Sequence, residues 1–277
     1  MPLGTPFFPF HLKGTKSFIK HLRPHPLISS QSKLAIFWSA KSASSFILKW
    51  FLSHEGLLNE ANAHHHFTHK YRMDVFIHSE KYKNAVSDFI NQKGKSYYKI
   101  KVVRNPFKRA VSSYIHYLVG MNREDVPMVK AFHGKSFGKE ISFSAFLELL
   151  SSIDIAKSNP HWKLQFDHGK PPFDFDDILL VKDLRLKLDE IEGALNLKTI
   201  DDLSLFQVSK HHSVKSDDHS NEFIGERLFD HMIRGARPRY RQFFNDALFE
   251  KVEDIYQRDF KAMAKAGFDV RLFRQLD

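Results

Sequence analysis

The chain predicts an α/β fold, a mostly parallel central sheet flanked by helices, and three observations carry that expectation. Short apolar runs of strand length, "KLAIFW", "KIKVV" and "ILLV", recur along the 277 residues. Each is followed by a stretch with helical spacing, and strands alternating with helices favour a parallel sheet with ligands at its carboxyl ends. Two polar segments, "SAKSASS" and "RNPFKRAVSSY", stand at such ends.

The first strand, Lys33 to Trp38, leads through small residues and one lysine into a helix. Phe46, Ile47, Trp50 and Phe51 form its apolar face, and Gly56 stops it. The segment "VFIHSEKYKNAVSDFI" reads as a short strand turning into a helix near Lys83. A second clear strand spans Lys99 to Val103, after which Asn105 suits a helix cap and Pro106 a first turn. Phe107, Ala110, Val111, Tyr114 and Leu118 place one face of that helix in the core. Arg109, Ser112, Ser113 and His116 fall on the other.

Residues 120–137 read as a polar loop over the site, and "SFSAFLELLSS" as a short helix capped by Ser142. Ile178 to Val181 is a strand candidate with a helix after it, to about Leu195. Residues 208–221 are loop by composition, and "YRQFFNDALFEKVEDIYQRDFKAMAKAG" is expected to form one long helix ending at Gly267.

The length is near the upper limit for one core, so residues 1–31 are set apart as a basic N-terminal arm and 32–277 as one domain. The 27 Phe supply bulk for a core, which excludes disorder. A net charge of +10 with 17 His favours a polyanionic partner: nucleic acid, an anionic glycan or a phosphorylated cofactor. No cysteine is present, so disulfide frameworks and thiolate metal sites are excluded. Pro6, Pro9, His11 and Lys13 interrupt any signal-peptide core, and no later window reaches about 18 apolar residues. These features predict a soluble cytoplasmic protein, with peripheral membrane contact left open.

In "FWSAKSASSF" Lys41 precedes small hydroxyl residues at a helix start, where backbone N–H groups and the helix dipole favour an anion. By itself the run is read more simply as a helix cap. The pattern GxxxxGK[ST] is absent, which disfavours an ordinary nucleotide kinase.

Paired with the later segment, the run gains meaning. Lys41-Ser42-Ala43-Ser44-Ser45 and Arg104-Asn105-Pro106-Phe107-Lys108-Arg109-Ala110-Val111-Ser112-Ser113-Tyr114 together resemble the sulfotransferases that use 3′-phosphoadenosine 5′-phosphosulfate (PAPS). Those enzymes carry K-[ST]-G-[ST]-[ST] after the first strand and R-[DN]-P-x-x-R-x-x-S-x-Y at a later strand-to-helix turn. More weakly, His161-Trp162, "ILLVKDL" and "RYRQFFNDALFEKVEDIYQRDF" resemble the carbohydrate, Golgi-type, family 2-like members. The resemblance runs from about Leu34 to Phe260. It implies a P-loop-like sulfotransferase fold in a soluble, bacterial-type member, PAPS as donor, 3′,5′-ADP as product and no metal. The acceptor it implies is a glycan or glycolipid, and nucleic acid is not expected.

The resemblance also implies roles. Lys41 would stabilise charge on the leaving phosphate, Ser42, Ala43, Ser44 and Ser45 would form the loop around the 5′-phosphate, and Arg104 with Ser112 would hold the 3′-phosphate. Ala43 stands where the family usually has glycine. If that position needs positive φ, alanine costs about 1 kcal/mol there.

An acceptor hydroxyl needs a base, and His78 and Glu80 lie two apart, on one face if the segment is a strand. In glycan sulfotransferases the region resembles a His-x-His or a Phe-Glu-Lys form. Glu80-Lys81 fits the latter, with His78 orienting or replacing the glutamate. The simpler readings are a hydrogen-bonded histidine and a helix-start acid favoured by the dipole. His161 and Trp162 suit an acceptor sugar, an indole face matching a ring; a buried tryptophan beside a capped histidine fits equally.

His65 and His69 have i, i+4 spacing, but no carboxylate or cysteine completes a metal set with His64 and His66, so a solvated helix or an anionic acceptor groove is expected. Lys210, His211 and His212 suit the cofactor pocket or an anionic acceptor. The reading of another class is a non-catalytic basic module on the same fold that binds anionic glycan or nucleic acid.

Overall fold

The computed structural model describes residues 14–118, 141–166, 171–200, 222–229 and 238–276. The expected loops over 120–137 and 208–221, with Lys210, His211 and His212, and the first 13 residues of the arm lie outside them.

In chain order the elements are α1 (Thr15–His21), β1 (Leu27–Ser29), β2 (Leu34–Trp38), α2 (Ser44–His54), α3 (Leu58–His64), α4 (Thr68–Asp74), α5 (Glu80–Asn91), β3 (Tyr98–Val103) and α6 (Pro106–His116). Then come α7 (Phe143–Ser151), β4 (Asp177–Leu180), α8 (Leu184–Ala194), α9 (Asp246–Ile255) and α10 (Gln257–Lys265). The sheet order is β1-β2-β3-β4. β1 runs antiparallel to β2, while β2 with β3 and β3 with β4 are parallel. The mostly parallel α/β sheet is therefore as expected. All five residues of β2 are buried, the pattern of a strand covered on both faces.

The chain separates into two compact units. The first holds residues 1–39, 44–103 and 166–206, and the second 40–43, 104–165 and 207–277. In the first, Phe18, Ile19 and Leu22 of α1 and its exit pack with Ile28, Phe37, Phe89 and Tyr97, joined by Phe173 and Phe175. The segment 1–31 is thus not wholly an arm: its described part supplies a helix, an edge strand and core side chains. A three-residue strand is too short to show periodicity, which is why its composition suggested a tail.

In the second unit Phe107 meets Phe244, Phe249 and Phe260 at centroid distances of 5.7, 5.0 and 5.1 Å. Tyr114 packs on Phe143, Phe146 and Phe243. The expected caps are present: Asn105 Oδ1 accepts from the N–H groups of Phe107 and Lys108, and Ser142 Oγ from that of Ala145. The expected single C-terminal helix is instead a 3₁₀ turn (Tyr240–Phe243), α9 and α10. Asn245 caps α9, and Tyr256, at φ −106°, ψ 22°, breaks it from α10. A local cap and a buried tyrosine override helix propensity there.

Two expectations near the candidate base need correcting. Residues Phe76–His78 form a 3₁₀ turn and Glu80 opens α5 behind a Ser79 cap, so His78 and Glu80 do not share a strand face. Ser79 Oγ accepts from the Tyr82 N–H, and that cap starts a helix where the apolar run alone suggested a strand. Likewise α3 ends at His64 and His65 is extended, so His65 and His69 are not on one helix. No described helix is long and apolar enough to cross a membrane.

Candidate active site

β2 and β3 are neighbouring parallel strands with Trp38 in register with Val102. The lysine loop follows the first and the arginine turn follows the second, so the topology that pairs these strands also brings Lys41 and Arg104 together. Both fall in the second unit.

The lysine loop turns sharply. Lys41 has φ 68° and Ala43 φ 55°, both in the left-handed region. Such backbone persists only where surrounding contacts over-determine it. Three side chains supply those contacts. Arg104 Nη1 donates to the Lys41 carbonyl at 2.9 Å, Arg109 Nε to the Ala40 carbonyl at 3.1 Å, and Ser42 Oγ to Gln165 Oε1 at 3.0 Å. The expectation that Ala43 replaces a glycine at a positive-φ position holds.

Gln165 ties the two segments into one structure. Its Oε1 also accepts from the Arg104 backbone N–H at 2.8 Å, and its Nε2 donates to the Arg104 carbonyl at 2.8 Å. The Gln165 N–H donates to the buried Asp259 carboxylate at 2.8 and 2.9 Å. Gln165 and Asp259 were not anticipated from sequence. The signal that could have found Gln165 is its place three residues after Trp162, inside a segment already singled out.

Arg104 keeps its guanidinium half-buried, with Nη2 donating to Tyr240 Oη at 2.6 Å. The Tyr240 ring lies 5.5 Å from the Arg104 guanidinium and 5.9 Å from Lys108 Nζ, so two cations share one aromatic ring. Arg109, expected on the solvent side, is 1% exposed. Ser113 is also buried, donating to the carbonyls of Arg109 and His161 at 2.9 and 2.7 Å. A helix that other segments press on two sides buries more than its most apolar stripe. Ser112 is half-buried.

His116, one turn beyond Ser112, stacks on His161 with centroids 4.0 Å apart. Asn159 Oδ1 accepts from the His161 backbone N–H at 3.0 Å and lies 2.8 Å from its Nδ1. That contact places the ring proton on Nδ1 and leaves Nε2 with its lone pair. Burial, then the Lys41 charge, then His161 push His116 down to about 3. Burial, then Lys41 and Arg109, bring His161 to about 4. Both rings are therefore neutral at pH 7 and lie within the field of the loop lysine. Trp162 is fully buried between Tyr117 and Phe146, so it does not offer a face to a sugar.

The remaining expected residues belong to the first unit. Ser44 and Ser45 open α2, half-buried, at the N-terminus that continues the lysine loop. His78 is exposed, and the Glu80 side chain, 79% exposed, pairs with Lys83 at 2.7 Å. His64 bonds Asp74 at 3.3 Å, and His65 stacks on His66.

The arrangement of the second unit suits an anion: Lys41 on the loop and Arg104 and Lys108 at the helix start supply positive charge, while the buried Arg109 braces the loop through the Ala40 carbonyl. No curated protein and no solved structure matches the chain. A family model does match, described as Sulfotransferase family, over residues 24–263, a span that contains the lysine loop, the arginine turn and Gln165. With that match over most of its length, the chain belongs to the sulfotransferase family.

Proposed function

We propose that the protein transfers a sulfuryl group from PAPS to a hydroxyl of a saccharide or glycoconjugate. The observation that carries this reading is the pairing of Lys41 and Arg104 through the Lys41 carbonyl, with Gln165 locking both segments. PAPS supplies a sulfur bonded to a good leaving group, the phosphate of 3′,5′-ADP. The acceptor oxygen attacks sulfur in line, the bond from sulfur to the 5′-phosphate oxygen breaks, and the hydroxyl proton passes to a base.

Lys41 neutralises the charge that grows on that phosphate oxygen, and the loop Ser42, Ala43, Ser44 and Ser45 supports it with hydroxyl and backbone N–H donors. Arg104 brings a planar fork to the 3′-phosphate and Ser112 a hydroxyl from the helix that follows it. Such groups need no metal.

For the proton, Glu80→Gln and His78→Ala are the deciding variants. Loss of turnover by about 10² or more with donor binding retained identifies the base. Retention in both moves the role to His161, whose Nε2 is the unprotonated nitrogen of a neutral ring.

The test of the whole reading is thermal unfolding with 3′,5′-ADP. A ligand at 100 times its dissociation constant adds about 2.7 kcal/mol of stability. Labelled transfer from PAPS to saccharides, lipids and small alcohols, with Lys41→Ala as control, then identifies the acceptor. Absence of any shift favours the binding-module reading.

A further inference from the structure

Lys108 and Ser112 stand one turn apart on α6, so their side chains lie on one helix face. Both are half-buried, whereas Phe107, Arg109, Val111 and Ser113 beside them are buried. The half-buried Tyr240 ring joins Arg104, two residues before the helix, to the same line: it lies 5.5 Å from the Arg104 guanidinium and 5.9 Å from Lys108 Nζ. All four residues belong to the second unit.

These groups have bonding capacity that the protein does not use. Tyr240 Oη accepts from Arg104 Nη2 at 2.6 Å, and among the described residues its own O–H proton meets no acceptor. Of the guanidinium N–H donors of Arg104, one is directed to Tyr240 Oη and one to the Lys41 carbonyl, and the rest stay open. Among the described residues Lys108 Nζ makes no hydrogen bond or ion pair, and no carboxylate pairs with Arg104. Two cations held at one ring without an acid repel each other. An anion with several acceptor oxygens relieves that repulsion and takes up the open donors.

The frame around them is fixed in advance. The Arg239 N–H donates to Gln242 Oε1 at 2.7 Å and sets the start of the 3₁₀ turn that carries Tyr240. Phe243 of that turn is buried against Tyr114 and Phe143. At the entry of α6, Asn105 Nδ2 donates to the Phe273 carbonyl at 2.9 Å. Donors placed beforehand cost little reordering when a ligand arrives.

We infer that Lys108 and Tyr240 are further ligand-binding residues of the arginine turn. With Arg104 and Ser112 they hold a phosphate monoester, Lys108 supplying the second neutralising charge and the Tyr240 hydroxyl a donor, and so set the preference for a nucleotide phosphorylated on its 3′-hydroxyl. The inference rests on the donor reading above and deepens it. A phosphate monoester carries about two negative charges at pH 7, which matches two cations. A nucleotide with a bare 3′-hydroxyl leaves both cations and the tyrosine proton without a partner, and selectivity arises from that loss as much as from the contacts made.

The test is calorimetric titration of the full chain with 3′,5′-ADP and with 5′-AMP, which differ by that phosphate alone. The quantity read is the ratio of the two affinities. Tyr240→Phe, which keeps the ring and deletes the hydroxyl, is expected to lower the ratio about fivefold and Lys108→Gln about tenfold, with 5′-AMP affinity unchanged in both. Lys108→Arg, which restores the charge, is expected to recover most of the ratio. A merely structural role would weaken both nucleotides together and leave the ratio where it was. An unchanged ratio in either variant therefore overturns the inference and leaves the donor reading standing, as does equal affinity of the wild type for the two nucleotides. Should Tyr240→Phe fail to fold, Lys108→Gln and Lys108→Arg decide alone. Wild-type protein that binds neither nucleotide removes the donor reading and the inference with it.

Discussion

His116 and His161 lie ring on ring, with centroids 4.0 Å apart and planes 29° from parallel. Each belongs to a segment singled out on other grounds, one to the helix of Ser112 that follows Arg104, the other to the His161-Trp162 pair. Stacked and largely shielded from water, neither ring holds a proton easily while Lys41 is close.

That relationship makes stability depend on pH. The unfolded histidines take up protons near 6.5, whereas the folded ones hold off until about 3 and about 4. Between those limits the unfolded state binds more protons, so stability is full above about 6.5 and is lost as pH falls toward 4. Urea denaturation should show a loss of at least about 1 kcal/mol from pH 7 to pH 5, since each pKa unit is worth about 1.4 kcal/mol. His116→Asn should flatten this slope; an unchanged slope would assign it to other groups.

Ala43 is strained by its φ of 55°. Ala43→Gly is expected to raise stability by about 0.5–1 kcal/mol, because relief of the left-handed strain exceeds the gain in unfolded-state freedom. A urea midpoint that moves down instead would show that the loop adopts a different backbone in solution.

Gln165 carries three hydrogen bonds through its side chain, to Ser42, to the Arg104 N–H and to the Arg104 carbonyl. Gln165→Leu leaves those buried partners unsatisfied, at roughly 1–3 kcal/mol for each group stranded. The protein should lose stability on that scale, and 3′,5′-ADP affinity should fall at least about tenfold as the two segments come apart. Calorimetric titration of the folded fraction separates the two effects.

Arg104→Lys keeps the charge but not the fork. A lysine cannot reach the Lys41 carbonyl and Tyr240 Oη together and still present two parallel donors to a phosphate. Affinity for 3′,5′-ADP is expected to drop by about tenfold or more, with little change in melting temperature. Equal affinity in the variant would remove Arg104 from the binding site.

Much of the candidate site's local structure was legible in the chain itself, because its signals are local. Asn105 before Pro106, a lysine before small hydroxyls, and a buried apolar run before each are encoded within a dozen residues, and caps, turns and strand ends respond to such short patterns. The same locality explains the failures. Ser79 caps a helix across what an apolar run suggested was a strand, and it thereby removed the shared face that had joined His78 to Glu80.

Sequence alone determined the α/β class, the order of the lysine and arginine segments and the missing glycine at Ala43. Only tertiary structure decided that Gln165 and Asp259 hold those segments, that Arg109 and Trp162 are buried, that His116 meets His161, and that Arg72 packs against Trp38. These contacts join residues tens of positions apart, and periodicity carries no information about which distant side chains close a buried hydrogen bond or leave a charge uncompensated.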